Sequence, residues 1–188
     1  MTFETVISIC LGIGLSASVG FRVFLPLFAL SLASYFDVWQ LNESWQWIGS
    51  TTALITLGVA TVVEIFAYFI PYIDNLLDSI AVPLAALAGT AVMLSTVADL
   101  SPVITWALAI IAGGGTAAAI AGTSSTTRIA STVTTGGLGN PVVSTLETGT
   151  SVVMSIISIF LPIFAGILVI VILFVIFKLY KKFKSSKV

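Results

Sequence analysis

Two arginines and four acidic residues lie within or beside the apolar stretches of this chain, where a charged side chain needs a partner. Arg22 and Arg128 suit an anionic group, because a guanidinium donates several hydrogen bonds in a fixed fork. Carboxylates suit coupling to a proton or a cation. The predicted substrate-binding residues are Arg22, Arg128, Ser124, Ser125, Thr126, Thr127, Ser131 and Asn140, and the predicted ion- or proton-coupling residues are Glu64, Asp74, Asp78 and Glu147.

Hydroxyl side chains are densest around Arg128, in the stretch 113–141. Glycine, serine and threonine dominate this stretch, and Asn140 and Pro141 end it. Hydroxyls both donate and accept hydrogen bonds. Irregular backbone at membrane depth is stable only where protein or a wet cavity surrounds it. We therefore expect residues 123–141 to form a polar, irregular segment, either re-entrant within the membrane or an external loop.

Two of the acids follow Pro71, which ends an apolar span. Asp74 and Asp78 are four residues apart and share one face of a predicted short amphipathic helix. Three roles fit this pattern: binding a proton or a cation, pairing with the arginines, or facing water at the membrane edge. Glu64 lies in the preceding span, with hydroxyl side chains three and four residues away.

The residue types on which most enzymes depend are scarce. The chain has no histidine and one cysteine, Cys10. These counts exclude an intrachain disulfide, histidine-based nucleophiles and most zinc, haem and iron–sulfur sites. Asp74 and Asp78 occupy adjacent turns of one helix, whereas aspartic catalysis needs two carboxylates about 3 Å apart. We expect no catalytic residue, no metal, no cofactor and no enzymatic activity.

The composition places these residues in a membrane. Of the 188 residues, 58% are hydrophobic and only 8% are charged, and the mean hydropathy is +1.17. Soluble domains carry about 25% charged residues. The predicted fold is a single all-α transmembrane domain over residues 1–188. We expect a compact bundle of about five or six transmembrane helices, at about 20 residues each, with interrupted or re-entrant segments.

The basic residues concentrate at the C-terminus. Five of the seven are lysines within 178–188, and the rest of the chain holds two arginines against eight acids. A basic cluster directly after an apolar span marks the cytoplasmic side, so we predict that 178–188 is a cytoplasmic tail. The expected partners are membrane lipids, with anionic lipid at the lysines from Lys178 to Lys187. No basic surface indicates nucleic acid.

Prolines and aromatic residues divide the apolar sequence into spans. The first apolar region is too long for one upright helix, and Arg22 and Pro26 interrupt it. The tryptophan-rich segment 36–48 predicts an interfacial loop, and Asp99 is a candidate helix cap. The predicted helices cover residues 5 to about 22, a shorter stretch to about 34, 50–70, 82–98, 103–121, and 149–177 with a kink at Pro162.

Small residues recur in two segments that each end at an arginine. Residues 14–22 resemble residues 119–128, which indicates a weak internal repeat with halves of about 1–100 and 101–177. Repeats built around interrupted helices are typical of transporters. Small residues spaced by four let membrane helices pack closely, which predicts a homodimer, although packing within one chain explains them as well. The two small faces are Gly12, Ser16 and Gly20, and Gly114, Ala118 and Gly122.

Three longer motifs, in this order, resemble the bacterial membrane-protein family known as domain of unknown function 4126. They are GLSASVGFRVFLPL, EIFAYFIPYIDNLLDSI and TRIASTVTTGGLGNPVVSTLE, and the most specific element runs from Gly20 through Arg22 and Phe24 to Pro26. The resemblance implies a bacterial inner (cytoplasmic) membrane and no particular activity. The chain departs from the family pattern at Tyr68-Phe69, where Asp-Lys is usual, at Glu147-Thr148, where Glu-Asp is usual, and at Thr134–Gly136, where Ser-Pro-Glu is usual.

These observations support one leading function and two alternatives. The leading hypothesis is a small transporter or channel with a polar, arginine-containing intramembrane site, for an anion or for a solute coupled to H⁺ or Na⁺. The main alternative is a membrane scaffold or accessory subunit whose arginines only pair with acids. The third is an intramembrane enzyme acting on lipid or peptide. A scaffold predicts fully paired arginines and no polar cavity that reaches the surface.

Overall fold

The computed structural model describes residues 2–98 and 100–185, which form helices and short connections without a strand among them. The all-α prediction is therefore confirmed. Asp99 and Lys187, predicted as a helix cap and as part of the basic tail, lie outside the described residues. The elements are α1 (Phe3–Val19), α2 (Phe24–Tyr35), a 3₁₀ helix (Glu43–Gly49), α3 (Thr51–Ala67), α4 (Pro71–Thr96), α5 (Pro102–Leu108), a π-helical segment (Ala109–Gly114), α6 (Gly115–Thr135), α7 (Asn140–Phe160) and α8 (Pro162–Ser185).

Several helices have the length and apolar character of membrane spans. In the described residues, four helical stretches meet both criteria, and a fifth is added if the bent pair of the 3₁₀ helix and α3 counts as one span. The shorter apolar helices α1 and α2 accompany them. The chain is a multi-pass membrane protein. The four stretches are Leu76–Thr96, Pro102–Thr135, Asn140–Phe160 and Pro162–Lys182.

α1 lies at the centre of the bundle and contacts α4, α6, α7 and α8. Its small residues allow this close packing. Ser16 donates a hydrogen bond to the carbonyl of Gly89 on α4 at 3.0 Å, and Ser18 hydrogen-bonds Ser151 on α7. Gly20 packs against Ile120 on α6. The small-residue face of α1 is thus used within the chain, and the homodimer stays a prediction.

The helices alternate in direction. Arg22, after the end of α1, contacts Ser144 near the start of α7, so α1 and α7 are antiparallel. Ile176 on α8 lines the same cavity as Phe21, and Ala165 packs against Gly14, so α8 is parallel to α1. We call the end of the bundle that holds Arg22 and Arg128 the arginine end.

One helix boundary differs from the prediction at Pro83. α4 is a continuous helix from Pro71 to Thr96 with Pro83 inside it, so the predicted division into a short amphipathic helix and a separate span is wrong. A proline costs one backbone hydrogen bond, which neighbouring helices and local adjustment make tolerable in a membrane. The continuous helix holds Asp74 and Asp78 rigidly at the arginine end.

The hydroxyl-rich stretch is helical to Thr135, so the predicted irregular segment over 123–141 is wrong for residues 123–135, and only the turn predicted before Pro141 is found, at 136–139. α6 continues to Thr135, and the turn before α7 is short, with positive φ of 64° and 89° at Gly136 and Gly137. Threonine hydroxyls return to carbonyls of their own helix; Thr126, for example, donates to the carbonyl of Gly122 at 2.8 Å. Local hydrogen bonding of this kind satisfies the hydroxyls without breaking the helix.

The last apolar region is two helices, where the sequence predicts one helix with a kink. α7 ends at Phe160, Leu161 leaves the helical conformation, and α8 starts at Pro162. A proline fits the first helical position because its missing N–H is not needed there. α8 then returns antiparallel to α7, which brings its lysines to the arginine end.

Candidate functional site

Arg22 lies in the break between α1 and α2 and is 1% exposed. Its three nitrogens make five hydrogen bonds, and a guanidinium has five N–H groups. Arg22 is therefore fully paired, as a residue that fastens the end of α1 to α7. The acceptors are the hydroxyl of Thr148 (3.0 Å), the carbonyl of Phe21 (3.2 Å), a carboxylate oxygen of Glu147 (3.3 Å), and the carbonyl and hydroxyl of Ser144 (2.9 and 2.6 Å).

Arg128 lies within α6 and is 2% exposed. It makes three hydrogen bonds to described residues, all to carboxylates: one to Asp74 and two to Glu147. Its Nε also lies 3.7 Å from an oxygen of Asp78. Arg128 thus joins α6 to acids on both α4 and α7.

Tyr68 lies in the connection between α3 and α4, and both guanidinium groups stack on its ring. The guanidinium carbon of Arg22 is 4.0 Å from the ring centroid, and that of Arg128 is 4.2 Å away. Cation–π contacts of this length stabilise a guanidinium more strongly when the site is desolvated. Tyr68 therefore helps to hold two like charges close together.

Charges in this region do not balance. We define the ionic cluster as the two arginines and the three acids that pair with them. Two positive charges face three negative charges, so the described cluster carries a surplus of one negative charge. An unneutralised charge in a poorly solvated site is costly, so the cluster attracts a positive charge. The members are Arg22, Arg128, Asp74, Asp78 and Glu147.

Glu64 lies beside the cluster with a different partner. It accepts the backbone N–H groups of Val23 at 2.7 Å and Phe24 at 3.0 Å. These are the first N–H groups of α2, which has no side-chain cap of its own. A carboxylate at a helix N-terminus is stabilised by hydrogen bonds and by the helix dipole. Glu64, on α3, therefore caps the start of α2 directly after the break that contains Arg22.

Asn140 extends the cluster toward the turn before α7. Its amide donates to Asp74 at 3.0 Å and to the hydroxyl of Thr132 at 3.1 Å. Asp74 is thereby hydrogen-bonded on both carboxylate oxygens. This buried acid is held firmly between α4, α6 and α7.

Three cavities reach the cluster from different sides. Asp78 and Arg128 line one of about 310 Å³ between α4 and α6. Glu147 lines one of about 340 Å³ between α6, α7 and α8, and Asp74 lines one of about 240 Å³ next to the glycine turn. Among the described residues, no group of three histidine, cysteine or acidic side chains is arranged to hold a metal ion.

The predicted hydroxyl residues of α6 divide between the cavities and the outer surface. Ser125 lines the cavity of Asp78, and Ser124 and Thr127 line that of Glu147. Thr126 is exposed, and its hydroxyl bonds its own helix. Ser131 lies against Gly139 in the turn. The structure thus brings together Arg22, Arg128, Asp74, Asp78, Glu147 and Asn140, and it places Ser125 beside them.

Comparison with protein families decides where the chain belongs. The family model described as Domain of unknown function (DUF4126) matches residues 9–182. The chain is a member of the DUF4126 family. The resemblance predicted from the three motifs is confirmed. Comparisons with curated proteins and with solved structures found no match.

Two further residues, Tyr68 and Thr148, contact Arg22 and carry no charge. Tyr68 offers its ring, and Thr148 accepts a hydrogen bond from Nε. Neutral partners therefore surround Arg22 on these sides. Sequence reasoning missed Tyr68, Ser144 and Thr148 as site residues, because nothing local in the sequence shows that α3 and α7 meet at Arg22.

Proposed function

We propose that this protein is a small membrane transporter or channel whose ionic cluster binds the ion that is carried or that drives transport. The observation that supports this most is the surplus negative charge of a buried cluster that cavities reach from outside. Helix breaks at 20–23 and 68–70 adjoin the cluster. In many transporters, irregular backbone beside charged groups helps to form the binding site.

A cation fits the cluster better than an anion. All five N–H groups of Arg22 are already paired, and the three hydrogen bonds of Arg128 go to carboxylates. An anion needs donors, and it would add to the negative charge of the cluster. A proton or a small cation restores neutrality instead. The anionic substrate expected from the arginines is therefore the weaker version of this proposal.

The lysines of α8 support an orientation of the bundle in the membrane. Lys178, Lys181 and Lys182 are exposed on α8, at the arginine end. Because positive residues concentrate on the cytoplasmic side, we place this end and the C-terminus at the cytoplasmic face of a bacterial inner membrane. The same lysines would then meet anionic lipid headgroups.

Flux into vesicles tests the proposal. Purified protein is reconstituted into liposomes, and uptake of H⁺, Na⁺ and K⁺ is followed under an imposed membrane potential. The site variant is Glu147→Gln, which keeps the shape of the shared acid and removes its charge. The matched control is Thr145→Ala, two residues away, whose exposed hydroxyl bonds the carbonyl of Pro141 on its own helix.

We expect wild type and Thr145→Ala to conduct at least one of these ions above the level of empty liposomes, and Glu147→Gln to lose most of that flux. Size-exclusion profiles must match, so that the loss reflects the site. If wild type conducts none of the three ions, or Glu147→Gln conducts as well as wild type, the proposal is wrong.

A scaffold or accessory subunit is the second candidate, and the complete hydrogen bonding of Arg22 favours it. Ion pairs that tie together the ends of four helices fix their packing whether or not an ion passes. The cavities at Asp78 and Asp74 favour transport instead. A scaffold predicts that Glu147→Gln lowers the melting temperature while no vesicle shows flux.

A further inference from the structure

The cavity between α4 and α6 contains the carboxylate of the cluster that is neutralised least. The Asp78 oxygen lies 3.7 Å from Nε of Arg128, beyond hydrogen-bonding distance. Asp74 and Glu147 bond the same guanidinium directly. The side chain of Asp78 is 17% exposed, against 2% for Asp74 and 7% for Glu147. The surplus negative charge therefore resides mainly on Asp78.

A second polar residue, Ser125, lines the same cavity. Ser125 Oγ is fully buried and makes no hydrogen bond with the described residues, the one such side-chain atom among them. Its neighbours Thr126 and Thr127 bond carbonyls of their own helix. A buried hydroxyl without a partner is costly and calls for a water or an ion. Ser125 thus places a hydroxyl without a partner in the lining of the cavity that Asp78 also lines.

We propose that this cavity binds a single positive charge, a proton or a monovalent alkali cation, at the carboxylate of Asp78 with the hydroxyl of Ser125 as the second contact. The inference rests on the proposed function, of which it names the ion-binding residues. A single positive charge bound in this cavity makes the described cluster neutral and gives the buried hydroxyl of Ser125 a partner. The charged groups that act on Asp78 are Arg128 on α6, Asp74 on α4, Glu147 on α7 and Arg22 beyond them.

Ligand-dependent melting of the purified full chain tests this site without any transport assay. A thiol-reactive dye follows the exposure of Cys10, which is half-buried in the folded chain. Wild type is melted in sodium chloride and in choline chloride at equal ionic strength, and separately over a pH series in choline chloride. The variants are Asp78→Asn and Ser125→Ala. The matched control is Thr126→Ala, next to Ser125 and with its hydroxyl bonded to its own helix.

Sodium is the occupant if it raises the melting midpoint of wild type and Thr126→Ala, while the rise is lost in Asp78→Asn and reduced in Ser125→Ala. The proton is the occupant if sodium has no effect and acidification raises the midpoint in wild type but not in Asp78→Asn. A ligand that binds only the folded state must stabilise it. The proposal is overturned if Asp78→Asn responds to both conditions as wild type does.

The outcome is separable from the proposed function. A midpoint shift that depends on Asp78, without flux in liposomes, keeps the binding site and removes transport. If instead Asp78→Asn conducts as well as wild type and no midpoint shift depends on Asp78, the transport proposal stands and the proposed binding site is rejected.

Discussion

Replacing each arginine by lysine keeps the positive charge and removes part of the hydrogen bonding. The two variants therefore show how strongly Arg22 and Arg128 each depend on their hydrogen bonds. Arg22→Lys keeps the charge but has at most three N–H donors for the five acceptors around Arg22. At least two of the five hydrogen bonds are therefore lost. Arg128→Lys has three donors for the three hydrogen bonds that Arg128 makes to described residues.

The number of lost hydrogen bonds sets the magnitude. Interhelical hydrogen bonds in membrane proteins contribute about 0.6 kcal/mol on average and about 1.7 kcal/mol at most. Two lost bonds therefore cost Arg22→Lys about 1 to 3 kcal/mol. Arg128→Lys keeps the charge and has enough donors, and it should lose about 1 kcal/mol for the second contact of the bidentate pair with Glu147.

Thermal unfolding in detergent, followed through the reactivity of Cys10, compares the two variants directly. We expect the melting midpoint to fall clearly further for Arg22→Lys than for Arg128→Lys. A shift of equal size in both variants, or a larger one for Arg128→Lys, would refute the assignment of Arg22 as the more fully bonded residue.

Three further substitutions test how the bundle holds the cluster, with the melting midpoint as the readout. Glu64→Leu removes the cap of α2 and should cost about 1 kcal/mol, while Glu43→Gln, an exposed residue of the 3₁₀ helix, should be neutral. Gly89→Ala places a methyl group 2.6 Å from the nearest side-chain carbon and 2.8 Å from a backbone oxygen, and it should cost about 1 to 3 kcal/mol. Its control is Gly122→Ala, which faces open space and should not destabilise the bundle. Ser18→Ala removes the hydroxyl that joins α1 to α7 and should cost about 1 kcal/mol.

The membrane class of the protein and the break after α1 were predictable from the sequence, because each depends on composition or on neighbouring residues. Too few charged residues cover a soluble surface, and the small residues before Arg22 with Pro26 after it mark the end of α1. The helical state of α6 was not predictable from its serines and threonines. Their preference for irregular structure in water gives way where apolar surroundings make every unpaired backbone group costly.

The charged residues were identifiable, but their pairing was not. Charges are so rare in this chain that Arg22, Arg128, Asp74 and Glu147 stand out from the sequence alone. Arg22 and Glu147 are 125 residues apart, and their contact depends on how α1 packs against α7. The same long-range packing brings Tyr68 between the arginines, at a position that reads as an ordinary aromatic residue at the end of a span.

Charge displacement in reconstituted membranes tests the central claim most directly, namely that a cation neutralises the surplus negative charge of the cluster. Proteoliposomes on a solid-supported membrane are exposed to a rapid jump in sodium concentration or in proton concentration. We expect a transient current with wild type for at least one of the two ions and none with Glu147→Gln. Wild-type currents indistinguishable from those of empty liposomes for both ions would contradict the account.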